Sequence, residues 1–455
     1  MIADVLALAV VGLGLLWATT SLAAGVASGG AELLLLPGLL LVMGVFAGRL
    51  AERFGLPRLT GYILLGVVVG PHGPLLLGQD WPGIVSKLQL EGLKPVKDLA
   101  IGLIALMAGC EIRTAWLRAR LRGILLIAVF QSLLIPAMVV ATTFLLPISL
   151  TYVDAAQAEG LPLMPILLLT GLLALISSPM VVVSVIKEAR ASGPLSETAM
   201  GAVVVVEVLV LLGFSLLMAV LVSLSSAGGS GGADAGELTG ILAQVGMRET
   251  GFIVWSIALG LAIGYGLYRI TERVRQRIGW ILVGLALVIA LLEDVLHVEA
   301  LFCLLAAGFA CENLFSGRSE RGTHRLDQAL EKVAQPVFVI FFMVAGLGLD
   351  LQVLVLAWVP VLWFVLVRAG SIWTAVHFGT RLAGAEPVVK RWCWTAMIPQ
   401  AGVALALVIV IADQFPGWGS QLKDMFIAAV AVHELVGPVL LTVALRQSQE
   451  TGKAD

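Results

Sequence analysis

The chain of 455 residues is 59% hydrophobic and only 13% charged, with a mean hydropathy of +1.02, whereas a soluble domain carries about 25% charged residues. This composition excludes a soluble protein, and the formal net charge of −2 gives no indication of nucleic-acid binding. We therefore expect an all-α polytopic membrane protein, because helices satisfy their own backbone hydrogen bonds in lipid.

Apolar stretches near 20 residues long, separated by proline, glycine and charged clusters, predict about 14 transmembrane helices. Thirteen is the nearest alternative, because the third stretch is short and only a few polar residues around Glu293 separate the ninth from the tenth. The predicted spans lie near 3–22, 33–53, 58–73, 97–115, 122–146, 163–186, 196–224, 250–271, 277–293, 297–315, 334–350, 353–378, 392–411 and 425–446.

The basic residues predict the orientation. Most of the 28 lysines and arginines fall on segments that share one side with the N-terminus, and basic residues favour the cytoplasmic side. We therefore expect both termini in the cytoplasm, a location in the plasma (inner) membrane, and a short cytoplasmic tail at 447–455. Residues 1–32 are predicted to form an extra N-terminal helix, with a cleaved signal peptide as the alternative. The Ser- and Gly-rich stretch Ser223–Gly236 reads as a flexible external linker.

Glu207 is the candidate functional residue that stands out first. It interrupts the apolar run Gly201–Leu212 near the expected middle of a span. A carboxylate at that depth costs roughly 2.5–3.5 kcal/mol on insertion scales, which favours a role in ion or proton binding. The alternative is a structural glutamate paired with a basic group.

Five segments, in the same order along the chain, resemble motifs of the monovalent cation:proton antiporter-2 family, the Kef/NapA-type exchangers. The resemblance covers about residues 33–446 and implies a core domain that moves against a dimerisation domain. It also implies a homodimer built on spans 2, 3, 9 and 10, to which glycine faces such as Gly61, Gly66 and Gly70 would contribute. The segments are Leu50–Pro71, Leu103–Glu111, Ala174–Met180, Pro336–Asp350 and Met397–Leu405.

The resemblance implies two inverted six-helix repeats, at about 33–224 and 277–446, with a linker helix at about 250–271. The fifth helix of each repeat carries a helix breaker, and two broken helices are expected to cross at the transport site. The predicted breakers are Pro179 in the first repeat, and Pro399, Gln400 and Gly402 in the second.

Glu207 falls where the family has the second acidic residue of its ion-binding motif. Val206 stands where the family has aspartate or a polar amide, which is a departure from the pattern. With one carboxylate instead of two, we expect exchange of one cation for one proton. Ser177 and Ser178 offer hydroxyl oxygens that would either bind the cation or cap the broken helix.

Arg368 occupies the place of a basic residue of the family core, and an arginine is a fixed counter-charge rather than a proton carrier. Its expected partner is Glu207, Glu434 or the carbonyl ends of the broken helices. A snorkelling arginine at a helix end is the alternative. Glu434 is expected to be a partner of Arg368 or a second ion ligand.

The expected function is secondary antiport of Na⁺ or K⁺ against H⁺ by alternating access, without a cofactor. The absence of a nucleophile triad, a nucleotide-binding motif or metal-ligand spacing argues against an enzyme. A separate subunit could supply regulation. The rival functions are a membrane subunit or sensor without coupled exchange, and a channel or transporter of another solute.

Overall fold

A computed structural model describes residues 30–54, 56–71, 85–112, 114–146, 148–226, 235–273, 278–296, 298–315, 320–348 and 357–452. The regular structure within these ranges is helical. In chain order the helices are α1 Gly30–Arg53, α2 Arg58–Val69, α3 Lys87–Gly92, α4 Lys94–Glu111, α5 Thr114–Leu145, α6 Thr151–Ala158, α7 Leu163–Leu175, α8 Pro179–Glu188, α9 Pro194–Ser226, α10 Ala235–Arg273, α11 Ile278–Leu296, α12 Ala300–Ala310, α13 Glu320–Leu347, α14 Trp358–Ala383, α15 Pro387–Trp392, α16 Gly402–Gln414 and α17 Trp418–Gln447.

The hydrophobic helices confirm a multi-pass membrane protein. Within the described ranges, six helical stretches are long and apolar enough to cross a membrane, and five shorter apolar helices accompany them. The number of 14 spans stays a prediction, and the expected helix at 3–22 lies outside the described residues. The six stretches are Leu117–Leu145, Leu163–Glu188, Pro194–Ser225, Thr250–Ile270, Trp358–Ala383 and Trp418–Gln447.

The expected linker Ser223–Gly236 is helical at both of its ends, because α9 continues to Ser226 and α10 begins at Ala235. The first turns of α10 contain leucine, alanine, glutamine, methionine and glutamate. These residues favour a helix. The apolar span within this helix begins only at Thr250. The middle of the linker lies outside the described residues.

The chain divides into two compact units. The first contains α1–α4 and α11–α13, and the second contains α5–α7, α9 and α14–α17, while α8 and α10 are shared between them. Every candidate site residue falls in the second unit. The assignment of the units to the expected core and dimerisation domains stays a prediction.

Glycines in the first unit bring α1, α2 and α13 into close contact. A Cβ added to Gly61 would lie 2.5 Å from the Ala47 carbonyl oxygen, and one on Gly66 would meet the Met343 carbonyl oxygen. Gly70 likewise faces α13. These glycines were predicted to serve a dimer contact, but their faces are used inside one chain. The glycine argument for the dimer is therefore wrong, whereas the dimer itself stays a prediction.

Three helices of the second unit approach α5 through glycines, each of which leaves room for a backbone atom or a side chain of α5. This arrangement fixes the relative heights of α5, α7, α9 and α14. The contacts pair Gly201 of α9 with Ile124, Gly379 of α14 with Ile127, and Gly171 of α7 with Pro136.

Candidate ion-exchange site

Two helices in the second unit are interrupted. α7 and α8 form one interrupted helix, in which residues 176–178 are not helical and α8 begins at Pro179. Proline lacks an N–H and disfavours the helical conformation of the residue before it, so it begins a helix more readily than it continues one. The second interruption follows the 3₁₀ turn Cys393–Met397, contains Pro399, and ends where α16 begins at Gly402.

The two interruptions are hydrogen-bonded to each other. The Ser178 N–H donates to the Pro399 carbonyl oxygen at 2.8 Å, and the Ser177 hydroxyl donates to the Met397 carbonyl oxygen at 2.8 Å. The Ser178 hydroxyl oxygen also accepts the Val181 N–H at 3.4 Å, as an N-cap of α8 would. Both serines thus have structural roles here, and ion binding by either of them stays a prediction.

Arg368 of α14 is fully buried and reaches both interruptions. Its guanidinium donates to the carbonyl oxygens of Ala174 at 2.8 Å and Ile176 at 2.6 Å in the first. It also donates to those of Met397 at 2.9 Å and Ile398 at 2.8 Å in the second. The planar fork suits several acceptors at once, and its charge complements the negative ends of helix dipoles. Of the expected partners, the structure shows the carbonyl ends, and pairing with a glutamate remains a prediction.

Side chains also satisfy the other carbonyls at the end of α7. The last four carbonyls of a helix lack partners within that helix. The Gln400 side-chain nitrogen donates to the Leu173 carbonyl oxygen at 3.0 Å, and the Ser177 hydroxyl lies 3.4 Å from that of Leu175. Gln400 and Arg368 together give the carbonyls of residues 173, 174 and 176 a side-chain donor, while the shorter contact of the Ser177 hydroxyl is to Met397.

His433 of α17 holds Gln400 in turn. Its Nδ1 lies 2.9 Å from the Gln400 Oε1 atom. Because the Gln400 nitrogen donates to Leu173, its oxygen is the acceptor, which assigns the proton to Nδ1 of His433. The buried imidazole therefore links α17 to the first interruption through one amide.

Both membrane glutamates are buried. Glu207 lies near the middle of α9 and Glu434 follows His433 on α17, and each is only 2% exposed. A buried carboxylate holds either a proton or a hard cation, because both satisfy the same negative charge. The second unit therefore contains both glutamates, both interruptions and Arg368.

Arg120 forms an ion-pair bridge that sequence reasoning missed, because it counted this residue only as a charge between spans. Its Nε lies 2.7 Å from Glu197 Oε2, and its Nη1 lies 2.7 Å from Glu386 Oε1. The Arg120 guanidinium holds the pKa of Glu386 below its usual value. The bridge ties the second turn of α5 and the first turn of α9 to the residue that precedes α15, and no local pattern indicated this pairing.

Glu450 was also missed, since it lies in what the sequence presented as a short tail. It is 3% exposed. Its carboxylate accepts the Leu195 N–H at 2.7 Å, and the Ser196 N–H and hydroxyl at 2.9 and 2.7 Å. Backbone N–H groups at a helix N-terminus favour a negative charge. Glu450 therefore caps α9, the helix that carries Glu207.

We predict that Glu450→Gln lowers the free energy of unfolding by about 1–3 kcal/mol, because an amide replaces an acceptor-only carboxylate among three donors. Thermal and denaturant unfolding in detergent will measure the loss. Asp413→Asn, at an exposed position of α16, is the matched control and should change little. Equal stability of both variants and the wild type would show that the cap contributes nothing.

Comparisons with known proteins agree with this architecture. The solved structure of the sodium proton antiporter MjNhaP1 from Methanocaldococcus jannaschii matches with a TM-score of 0.61 at 17% identity, covering 91% of this chain and 96% of that one. At this identity the match shows the fold alone. No curated protein sequence matches the chain. A family model described as "Sodium/hydrogen exchanger, transmembrane" matches residues 38–447. Because this match spans most of its length, the chain belongs to the transmembrane sodium/hydrogen exchanger family.

Proposed function

We propose that this cation:proton antiporter exchanges Na⁺ for H⁺ at Glu207 by alternating access, with K⁺ as the alternative cation. The observation that carries this proposal is the burial of Glu207, 2% exposed, in the middle of an apolar helix. It lies in the same compact unit as the two interruptions and Arg368. Interrupted helices with a buried acidic residue nearby are the usual setting of a transporter ion site.

The coupling follows from competition for one carboxylate. When Glu207 is protonated it is neutral and cannot hold a cation, and when a cation is bound the proton has left. Val206, which is buried, adds no second charge beside it. Each half-cycle then carries a neutral site across the membrane, so the exchange is electroneutral.

Several features of the assembly belong to the same proposal. We propose 14 transmembrane helices arranged as two inverted repeats, with both termini cytoplasmic in the plasma membrane. A homodimer and a Kef/NapA-type subfamily are supported by the sequence motifs alone. A separate regulatory subunit is a further proposed partner.

Sealed proteoliposomes test the proposed exchange. We predict that Na⁺ added outside drives proton movement, and that an imposed membrane potential does not change the rate, because no net charge crosses. K⁺ and Li⁺, compared under the same conditions, define the cation selectivity. A clear dependence on voltage would mean that a second group titrates, with Glu434 the first candidate. Cation flux without proton movement would instead indicate a channel.

A further inference from the structure

Gln131 is a fully buried polar residue on α5 that the exchange mechanism has not yet used. It is 0% exposed and lies on the face of α5 that also buries Ile127 and Ile135. Among the described residues, neither its Oε1 nor its Nε2 has a hydrogen-bond partner. Burying an amide costs free energy unless its polar atoms are satisfied. A bound ligand that contacts the Gln131 amide would offset this cost.

Contacts between α5 and α9 give the depth of Gln131. Arg120 pairs with Glu197, and Ile124 meets Gly201, with 77 residues between the partners in both cases. A constant separation means that the two helices run parallel and in register. The same register brings Gln131 level with Val208, one residue beyond Glu207.

The register holds further along the helices. Pro136 of α5 and Gly213 of α9 contact adjacent residues of α7, and they keep the same separation in sequence. Gln131 precedes Pro136 by five residues and Glu207 precedes Gly213 by six, or roughly 7.5 and 9 Å along the helix axes. Gln131 and Glu207 therefore lie at nearly the same depth, measured from residues 171 and 172 of α7.

We propose that Gln131 is a ligand of the transported cation, supplying its amide Oε1 at the depth of the Glu207 carboxylate. The proposal rests on Glu207 being the exchange site. Na⁺ and K⁺ are hard cations that prefer oxygen ligands, and a neutral amide adds an oxygen without adding charge. The one-to-one exchange of charge is thus preserved.

The arrangement of the interruptions explains why such an oxygen is needed. Backbone carbonyls of broken helices commonly coordinate the ion in transporters. Here the carbonyls of Leu173, Ala174 and Ile176 already accept hydrogen bonds from Gln400 and Arg368. The Gln131 amide on α5 would then supply an oxygen ligand in place of these carbonyl oxygens.

Gln131→Met tests the proposal, since methionine keeps the unbranched shape and removes the oxygen. We expect the KM for Na⁺ to rise about tenfold or more, because a lost bond to a charged group is worth roughly that factor. The rate at saturating Na⁺ should change little. The rise in Tm that Na⁺ gives the purified wild-type protein should shrink in parallel. Ile135→Val, one turn along the same face, is the matched control and should keep the wild-type KM.

A folded Gln131→Met protein with wild-type KM for Na⁺, K⁺ and Li⁺ and an unchanged Na⁺-dependent Tm would overturn the proposal. If that variant does not fold, Gln131→Glu serves instead. Glutamate keeps an oxygen at this position and adds a charge, so it should bind Na⁺ and make exchange voltage-dependent. Voltage-independent exchange by Gln131→Glu also overturns the proposal. Failure of the exchange site itself is distinct, because exchange would then survive in Glu207→Gln.

Discussion

Replacing Glu207 with glutamine is expected to abolish exchange, to the level of protein-free liposomes, while the protein still folds. Glutamine keeps the shape of the buried side chain but neither titrates nor attracts a cation. It also removes a buried charge, so thermal stability should be equal to or above that of the wild type. The measurement is Na⁺-driven proton flux in proteoliposomes, read beside Tm in detergent.

Two variants sharpen this result. Glu207→Asp keeps the carboxylate on a shorter side chain and should retain part of the exchange with an altered pH optimum. Glu434→Gln changes the other buried glutamate of the same unit and should leave exchange largely intact. Full exchange by a folded Glu207→Gln protein, with loss in Glu434→Gln, would move the shared site to Glu434.

Replacing Arg368 with alanine is expected to cause the largest loss of stability. Four backbone carbonyls in two interrupted helices would lose a charged donor, and within the described ranges only Met397 keeps a second side-chain donor, the Ser177 hydroxyl. A hydrogen bond to a charged group contributes about 1.5–3 kcal/mol. Even if water replaces part of them, a loss on the order of 4 kcal/mol is expected. Exchange should fall with it, because the interruptions would no longer hold their geometry.

Unfolding in detergent and flux in proteoliposomes measure the two effects. Arg381→Ala, at an exposed position near the end of the same helix, is the matched control. Arg368→Lys keeps the charge and should retain part of the exchange. Its single nitrogen cannot reach all four carbonyls, so its Tm should lie between those of alanine and wild type. An Arg368→Ala protein with unchanged Tm and flux would mean that these contacts are dispensable.

The hydrogen-bond network also bears on how the site moves. Arg368, Gln400 and His433 connect α14 and α17 to both interruptions. We therefore expect the two interruptions to move as one body during alternating access, because separating them would break several buried hydrogen bonds at once.

The sequence by itself determined the class of the protein, and its motifs indicated where the interruptions lie. Hydropathy alone indicates a multi-pass helical membrane protein, because a helix satisfies its own backbone hydrogen bonds inside the bilayer. The resemblance predicted the breaks at Pro179 and Pro399, and proline alone could not have done so, because Pro37, Pro136, Pro336 and Pro438 lie inside continuous helices. Glu207 stood out because a charge in a long apolar run is costly wherever that run packs.

Only the tertiary structure decided which groups meet. Arg368 could be predicted as a buried charge, but its four carbonyl partners lie up to 194 residues away in sequence. Glu450 looked like part of a polar tail until packing placed it at the N-terminus of α9. Gln131 drew no notice, because an uncharged amide barely changes hydropathy and its meaning depends on which helices surround it. Gly61 and Gly66 were assigned to the wrong interface for the same reason. A small residue predicts that another helix packs closely against it. Which helix that is depends on how whole helices fit together, and a local sequence pattern does not contain this information.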